Sequence, residues 1–437
     1  MVQAKDVRKV LARHMLADGM EPVIDLEKSQ GSWMVDKRNG NRYLDFFSMF
    51  ASMAVGYNHP KLVAKQEELG RLAIHKPTNS DVYSEELANF LEIFSRIGIP
   101  KELPHAFFIE GGGLAVENAL KAAFDWKVRK NFEKGYKEPR GYKVIHFQQC
   151  FHGRTGYTLS MTNTHDPRKI QYFPKFDWPR VLNPKIIFPL NEDNLEKVKK
   201  AESESLKQIH QAIEKYPDEI AALILEPVQG EGGDNHFRPE FFRELRKICD
   251  DHEILLIFDE VQTGVGLTGK FWAYEHFGIK PDIISFGKKS QVCGILAGTR
   301  IDEVKNNVFA ESSRINSTWG GNLVDMVRFG YILEIIEEEN LVENARIQGA
   351  FLKDELEKIA DDFPGLVSNA RGKGLMCAFD LKDEKTRNAF LGELEKEKVL
   401  MLGCGEKSVR FRPHLNVSHD EILQGIQKIR LSLKKLP

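Results

Sequence analysis

Residues 220–260 read IAALILEPVQGEGGDNHFRPEFFRELRKICDDHEILLIFDE. A wholly apolar run from Ile220 to Leu225 gives way to a glycine-rich loop, then to a helical pattern over about 238–251. A second apolar run follows and closes on Asp259 and Glu260. Short apolar runs without alternation predict strands buried on both faces, and a helix between two of them predicts a crossover joining parallel neighbours. The same beat recurs on either side: HAFFIE (105–110) before a helix from Ala115, YKVIHF (142–147), and DIISFG (282–287). The chain therefore reads as α/β, with a mostly parallel central sheet carrying helices on both faces.

Beyond about residue 325 the pattern changes to long charged helices over 328–360, then to the strand candidates LMCAFDL (375–381) and SVRFRP (408–413). The last helix opens on Ser418-His419-Asp420-Glu421, a capping box ahead of Ile422, Leu423, Ile426 and Ile429. Near the start, WMVDKRNGNRYLDF predicts a hairpin over Arg38–Asn41. The expected organisation is an N-terminal segment, 1–60, contributing to the small domain and the site; a large α/β domain, 61–325; and a smaller α+β domain, 326–437. A chain of 437 residues exceeds one ordinary core, in keeping with two domains.

Lys and Arg total 62 against 64 Asp and Glu, a net charge of −2. That balance excludes an electrostatic footprint for nucleic acid or an anionic membrane, and points to small molecules or other protein chains as partners. The five cysteines form no CxxC pair and no metal-ligand spacing; they read as reduced thiols of a cytoplasmic protein with no metal site. No apolar stretch is long enough to span a bilayer, and MVQAKDVRKVLARHM lacks the apolar core of a signal peptide. That stretch suits an amphipathic helix resting on the body or on a partner. No low-complexity linker or internal repeat separates the parts.

Several stretches carry chemistry. Gly111, Gly112 and Gly113 lie between an apolar strand and an Ala-rich helix. There they make either a tight turn or a helix N-terminus whose N–H groups face a phosphate. GVGLTGK (264–270) has P-loop spacing, but Phe271 replaces the Ser or Thr that magnesium needs. CFHGRTGYTLS (150–160) sets Phe151, His152 and Arg154 among glycines, either an exposed turn or an aromatic face against a planar ring. Asp259 stands just past a buried strand, where ligands of open α/β sheets bind; Glu226 repeats the arrangement, with Glu231 in the following loop. Finally, FGKKSQVCG (286–294) holds adjacent lysines, Lys288 and Lys289. If the strand runs that far, alternation sends them to opposite sides, one internal and one structural. An amine that attacks an aldehyde needs a lowered pKa, which burial supplies.

Taken in order, EGGGLAVENALKAAFDWK, FHGRTGYTLS, EPVQGEGGDNHFRPEFF, IFDEVQTGVGLTG, FGKKSQVCG and NSTWGGN resemble the class III pyridoxal-phosphate aminotransferases of fold type I. The resemblance runs over nearly the whole chain. It implies pyridoxal 5'-phosphate as cofactor, with Lys288 carrying it and shuttling a proton, and Asp259 holding its ring nitrogen protonated. It further implies Phe151 stacked on the ring beside His152, Gln262 at the ring hydroxyl, and Gly112 and Gly113 on the phosphate. Thr318 would reach the phosphate of a neighbouring subunit, which implies a homodimer with composite sites. Lys289 is left to tie down the turn or face solvent.

Among members of that family, the closest likeness is to those moving the terminal amine of L-lysine to 2-oxoglutarate. Ornithine, acetylornithine and 4-aminobutyrate aminotransferases share the lysine, aspartate and phosphate loop, while QGEGGDNHFRP and FGKKSQVCG favour lysine. By the same resemblance Arg154 and Arg410 bind substrate carboxylates. Glu231 pairs with Arg410 while lysine is bound and swings away for the oxo acid. The chain departs from its relatives at Gly113, where they carry Ala, which implies a slightly looser phosphate loop.

Overall fold

In the computed structural model, which describes residues 2–436, the first sheet element is a hairpin of β1 (Trp33–Val35) and β2 (Arg42–Asp45). The turn sits over Arg38–Asn41 as the sequence predicts, with Gly40 at φ +76°, a left-handed conformation that glycine adopts freely. Near the N-terminus a 3₁₀ turn, Ala4–Asp6, leads into a five-residue helix, Val7–Leu11, and neither holds a buried residue.

Seven strands make the central sheet. They are β3 (His105–Ile109), β4 (Lys143–Phe147), β5 (Arg180–Val181), β6 (Ile220–Leu225), β7 (Leu255–Asp259), β8 (Ile283–Phe286) and β9 (Cys293–Ala297). Their order is β3-β9-β8-β7-β6-β4-β5. From β5 to β8 every pairing is parallel, whereas β9 runs antiparallel to both β8 and β3. The sheet is thus mostly parallel but mixed. Between Phe286 and Cys293 there is only a short turn, too little chain for a helical crossover, so β9 must return antiparallel.

Every residue of β6, β7, β8 and β9 is buried, which is why their sequences do not alternate. Alternation survives in where they point. Leu256 and Phe258 join Phe241, Phe242 and Leu245 of the helix Pro239–Asp251 in one core cluster. Leu255 and Ile257 face Ala119, Leu120 and Ala123 of the helix Gly112–Glu133 in another. At roughly 1.5–3 kcal/mol for each large apolar side chain removed from water, these two layers dominate the stabilisation.

The C-terminal part begins with two helices, Leu323–Glu338 and Leu341–Asp362. Asn340, left-handed at φ 52°, separates them. Strands β10 (Val367–Lys373) and β11 (Met376–Leu381) follow, then β12 (Val399–Leu400), β13 (Leu402–Cys404) and β14 (Ser408–Phe411). A four-stranded antiparallel sheet runs β10-β11-β14-β13, while β12 pairs with β2. The last helix, His419–Leu433, opens on the expected capping box, Ser418 Oγ accepting from Glu421 N at 3.3 Å. It buries Ile422, Ile426 and Ile429. A Cβ on Gly425 would come within 2.2 Å of the Phe46 ring, so this helix and the N-terminal segment pack closely.

All five cysteines are buried and unpaired. Among the described residues no helix is long and apolar enough to cross a membrane.

Candidate active site

Three neighbouring parallel strands deliver chemistry at their carboxyl ends. Glu226 directly follows β6, Asp259 closes β7, and Lys288 lies two residues past the end of β8. This is the edge where open α/β sheets bind ligands. All three line one cavity of about 200 Å³. A larger groove of about 950 Å³, walled by Phe124, Tyr157 and Trp178, holds none of them.

Gly112 and Gly113 line that cavity as well. They open the 22-residue helix Gly112–Glu133, three residues earlier than the sequence suggested, so their N–H groups are among those without intrahelical partners. A Cβ on Gly112 would meet Val261 at 2.8 Å, whereas one on Gly113 would make only ordinary contacts at 3.5 Å or more.

Asp259 is 5% exposed, and its Oδ2 lies 2.8 Å from His152 Nδ1. Its Oδ1 accepts from Val261 N at 3.1 Å. Burial works against a proton on His152, but Cys150 and the adjacent Asp259 carboxylate prevail and raise its pKa well above the usual range. His152 Nε2 is buried without a partner. Phe151 lines the same space; its backbone N–H donates to Glu226 Oε1 at 2.8 Å, while Gly230 N donates to Oε2 at 3.0 Å. Glu226 thus ties together the loops that bear Phe151 and Glu231. Burial pushes its carboxyl up to about 7, against the pull of His152 and the two N–H donors.

Lys288 sits in a 3₁₀ turn at φ 54°, left-handed and therefore strained for a side-chain-bearing residue. Burial lowers its pKa below the usual lysine range; Arg410 adds to this, while Asp259 and Glu226 oppose it. Lys289 neither faces solvent nor ties down its own turn. It is 1% exposed and donates from Nζ to Ala51 O at 2.8 Å, in the N-terminal segment. Because β8 stops at Phe286, the separation of the two lysines comes from the turn and not from strand alternation.

Glu231 also lines the cavity. Its Oε2 lies 3.5 Å from Nη2 of Arg410, a buried residue of β14, and its Oε1 accepts from Lys169 Nζ. Gln262 lines the cavity too, its Oε1 fixed by Arg412 Nε at 2.9 Å and Nη2 at 2.7 Å. Arg412, 2% exposed, is itself paired with Asp234, donating from Nη1 to Oδ2 at 2.8 Å. Sequence reasoning missed Arg412 and Lys169. Arg412 lies one residue past the end of β14, so strand alternation gave no signal for it.

Two expected residues stand apart. Arg154, next to the cavity-lining Gly153, is exposed and has no ion-pair partner among the described residues. Thr318 is exposed and outside the cavity wall. Gly264–Lys270 runs through turns and opens no helix.

Known proteins resemble this chain along nearly its whole length. The family described as aminotransferase class-III matches residues 15–433. The chain is 52% identical over 430 residues to an L-lysine-epsilon aminotransferase of Mycobacterium tuberculosis, covering 98% of this chain and 95% of that protein. To the L-lysine-epsilon aminotransferase of Streptomyces clavuligerus it is 46% identical over 438 residues, covering 99% and 95%. A solved structure of lysine aminotransferase from M. tuberculosis in the internal aldimine form superposes with a TM-score of 0.97 at 51% identity, over 99% of both chains. With that match running nearly end to end, and a lysine, an aspartate and a glycine-opened helix meeting in one cavity, the chain belongs to the class III aminotransferases.

Proposed function

We propose that this protein transfers the terminal amine of L-lysine to 2-oxoglutarate, using pyridoxal 5'-phosphate. The carrying observation is that Lys288, Asp259 and the Gly112–Gly113 helix start share one cavity with Glu231, which is paired with Arg410. The names of the relatives near 50% identity supply the substrate.

The residues suit the cofactor. Helix N–H groups at Gly112 and Gly113 accommodate a phosphate, the buried Asp259 a protonated ring nitrogen, and Phe151 a flat face. When bound, the cofactor supplies an electron sink for the bonding pair left when a substrate carbon loses its proton.

The chain's own groups do the rest. Asp259, oriented by His152, would keep the ring nitrogen charged. Lys288, with its lowered pKa, would hold the cofactor and would serve as the base that moves the proton from the substrate's terminal carbon. Gln262, its oxygen held by Arg412, would offer its amide N–H to the ring hydroxyl. Arg154 receives the carboxylate remote from the reacting carbon. Arg410, covered by Glu231 while lysine is bound, pairs with the 1-carboxylate of 2-oxoglutarate once Glu231 withdraws, and the planar guanidinium suits that carboxylate. The product, 2-aminoadipate 6-semialdehyde, bears an amine and an aldehyde on one short chain and cyclises. Thr318, exposed and away from its own cavity, fits a role in the site of a second copy, which makes the working unit a homodimer.

The test is the absorption spectrum of the cofactor-loaded protein on adding L-lysine, L-ornithine or 4-aminobutyrate without any oxo acid. Conversion of the cofactor to its amine form by L-lysine in preference to the others, with recovery on 2-oxoglutarate, is the expected result. Preferential conversion by another amine would replace the donor.

A further inference from the structure

Glu231 stands in the wall between two cavities. On one side is the cofactor cavity; on the other a polar cavity of about 510 Å³, lined by Lys169, Arg168, Arg387 and Glu384 as well as by Glu231 itself. The carboxylate uses one oxygen for each side. Oε2 faces Arg410 at 3.5 Å, and Oε1 accepts from Lys169 Nζ.

The two cations differ in setting. Arg410 is only 6% exposed, on β14 in the antiparallel sheet, whereas Lys169 is 33% exposed at the end of the 3₁₀ turn Pro167–Lys169. Asp166 fixes that turn: it accepts from Arg168 N at 3.1 Å and from Arg168 Nε at 2.9 Å. Arg168 is thereby engaged, and Lys169 is the cation of the turn that reaches Glu231.

A carboxylate that leaves a buried arginine with no other partner strands its charge in a poorly hydrated place, which opposes the movement. Here the contact to be broken is the longer one, and the contact on the other oxygen can persist. We propose that Lys169 is a positioning residue for the amino acceptor: it retains Glu231 as that carboxylate leaves Arg410, and so frees Arg410 for the carboxylate of 2-oxoglutarate. This rests on the reading of Glu231 and Arg410 given above. Without Lys169 the Glu231–Arg410 pair is favoured, and only the half-reaction that needs it open suffers.

The experiment measures the two half-reactions separately on the cofactor-loaded enzyme, by absorption. Lys169→Met should raise the apparent KM for 2-oxoglutarate about fivefold, the effect of losing a partly exposed ion pair. The KM for L-lysine should stay level or fall, and Lys169→Arg should restore the original values. In a Glu231→Gln background, Lys169→Met should change neither. Equal effects on both half-reactions, no effect on the acceptor, or an effect that persists in the Glu231→Gln background would overturn the role of Lys169. Failure of the underlying reading looks different: Glu231→Gln alone would then leave the two half-reactions in their original ratio.

Discussion

Arg412 holds Gln262 by two hydrogen bonds to one oxygen, from Nε at 2.9 Å and from Nη2 at 2.7 Å. With its oxygen so fixed, what Gln262 offers the cavity is its amide N–H. The same guanidinium neutralises Asp234, whose side chain is fully buried. Arg412→Met strands that carboxylate and should cost about 3–5 kcal/mol in unfolding free energy. Arg412→Lys keeps a charge but lacks the planar fork, so it should lose less stability and release the cofactor faster. Denaturant unfolding and the rate of cofactor release check both; a lysine variant that keeps its cofactor as long as wild type contradicts the assignment of Gln262.

The adjacent lysines should separate cleanly. Borohydride reduction followed by peptide mapping should place the cofactor on Lys288, and Lys288→Ala should abolish attachment and slow transfer on the order of 10²–10⁴-fold. Lys289→Met should keep attachment and change the pH dependence of stability instead. Burial, Arg412 and Lys288 set the folded pKa of Lys289 well below its unfolded value. Its stabilising contribution is therefore complete above the unfolded lysine pKa and is lost as pH falls through the folded value. Wild type should gain on Lys289→Met as the pH is raised toward about 10, measured by unfolding at a series of pH values.

Opposite shifts are expected from two neighbours of Lys288. Arg410 lowers its pKa and Glu226 raises it, beneath the dominant effect of burial. Arg410→Gln should therefore move the pH profile of cofactor attachment to the apoprotein upward, and Glu226→Gln should move it downward. Shifts in the same direction would mean that packing, not charge, governs this amine.

Of the two glycines that line the cavity at the start of the helix Gly112–Glu133, Gly113→Ala should be tolerated, since its Cβ would meet nothing closer than 3.5 Å. By removing backbone freedom from the unfolded chain it should add about 0.4–1 kcal/mol to stability. Gly112→Ala drives its Cβ to 2.8 Å from Val261, in the cavity wall, and should weaken cofactor binding. Unfolding curves and cofactor dissociation constants on the two variants distinguish these effects.

The parallel strands were legible because burial on both faces leaves continuous apolar runs, and their carboxyl ends pointed to Glu226, Asp259 and the lysine pair. Strand β9 was not, since its direction follows from the shortness of the turn before it and not from its own residues. Local rules could not choose between Lys288 and Lys289; the family resemblance favoured Lys288, which lines the cavity, and the tie from Lys289 to Ala51 spans 238 residues of sequence. Lys169 gave no signal at all, being one cation on a polar turn 62 residues from the carboxylate it meets. Long-range pairs of this kind are set by how elements pack, which no short window of sequence encodes.

The burial of all five thiols makes the native molecule silent toward alkylating reagents. Burial pushes Cys249, Cys377 and Cys404 up to about 12, so even a reagent that penetrated would meet the unreactive protonated form. Labelling at each then measures how often its own stretch opens: Cys249 on a helix over the central sheet, Cys377 and Cys404 in the antiparallel sheet. Conversely, a thiol introduced at Tyr172, which is 94% exposed, would react first and alone. The wild-type chain is thus ready for single-site attachment of a fluorophore without removing any native cysteine.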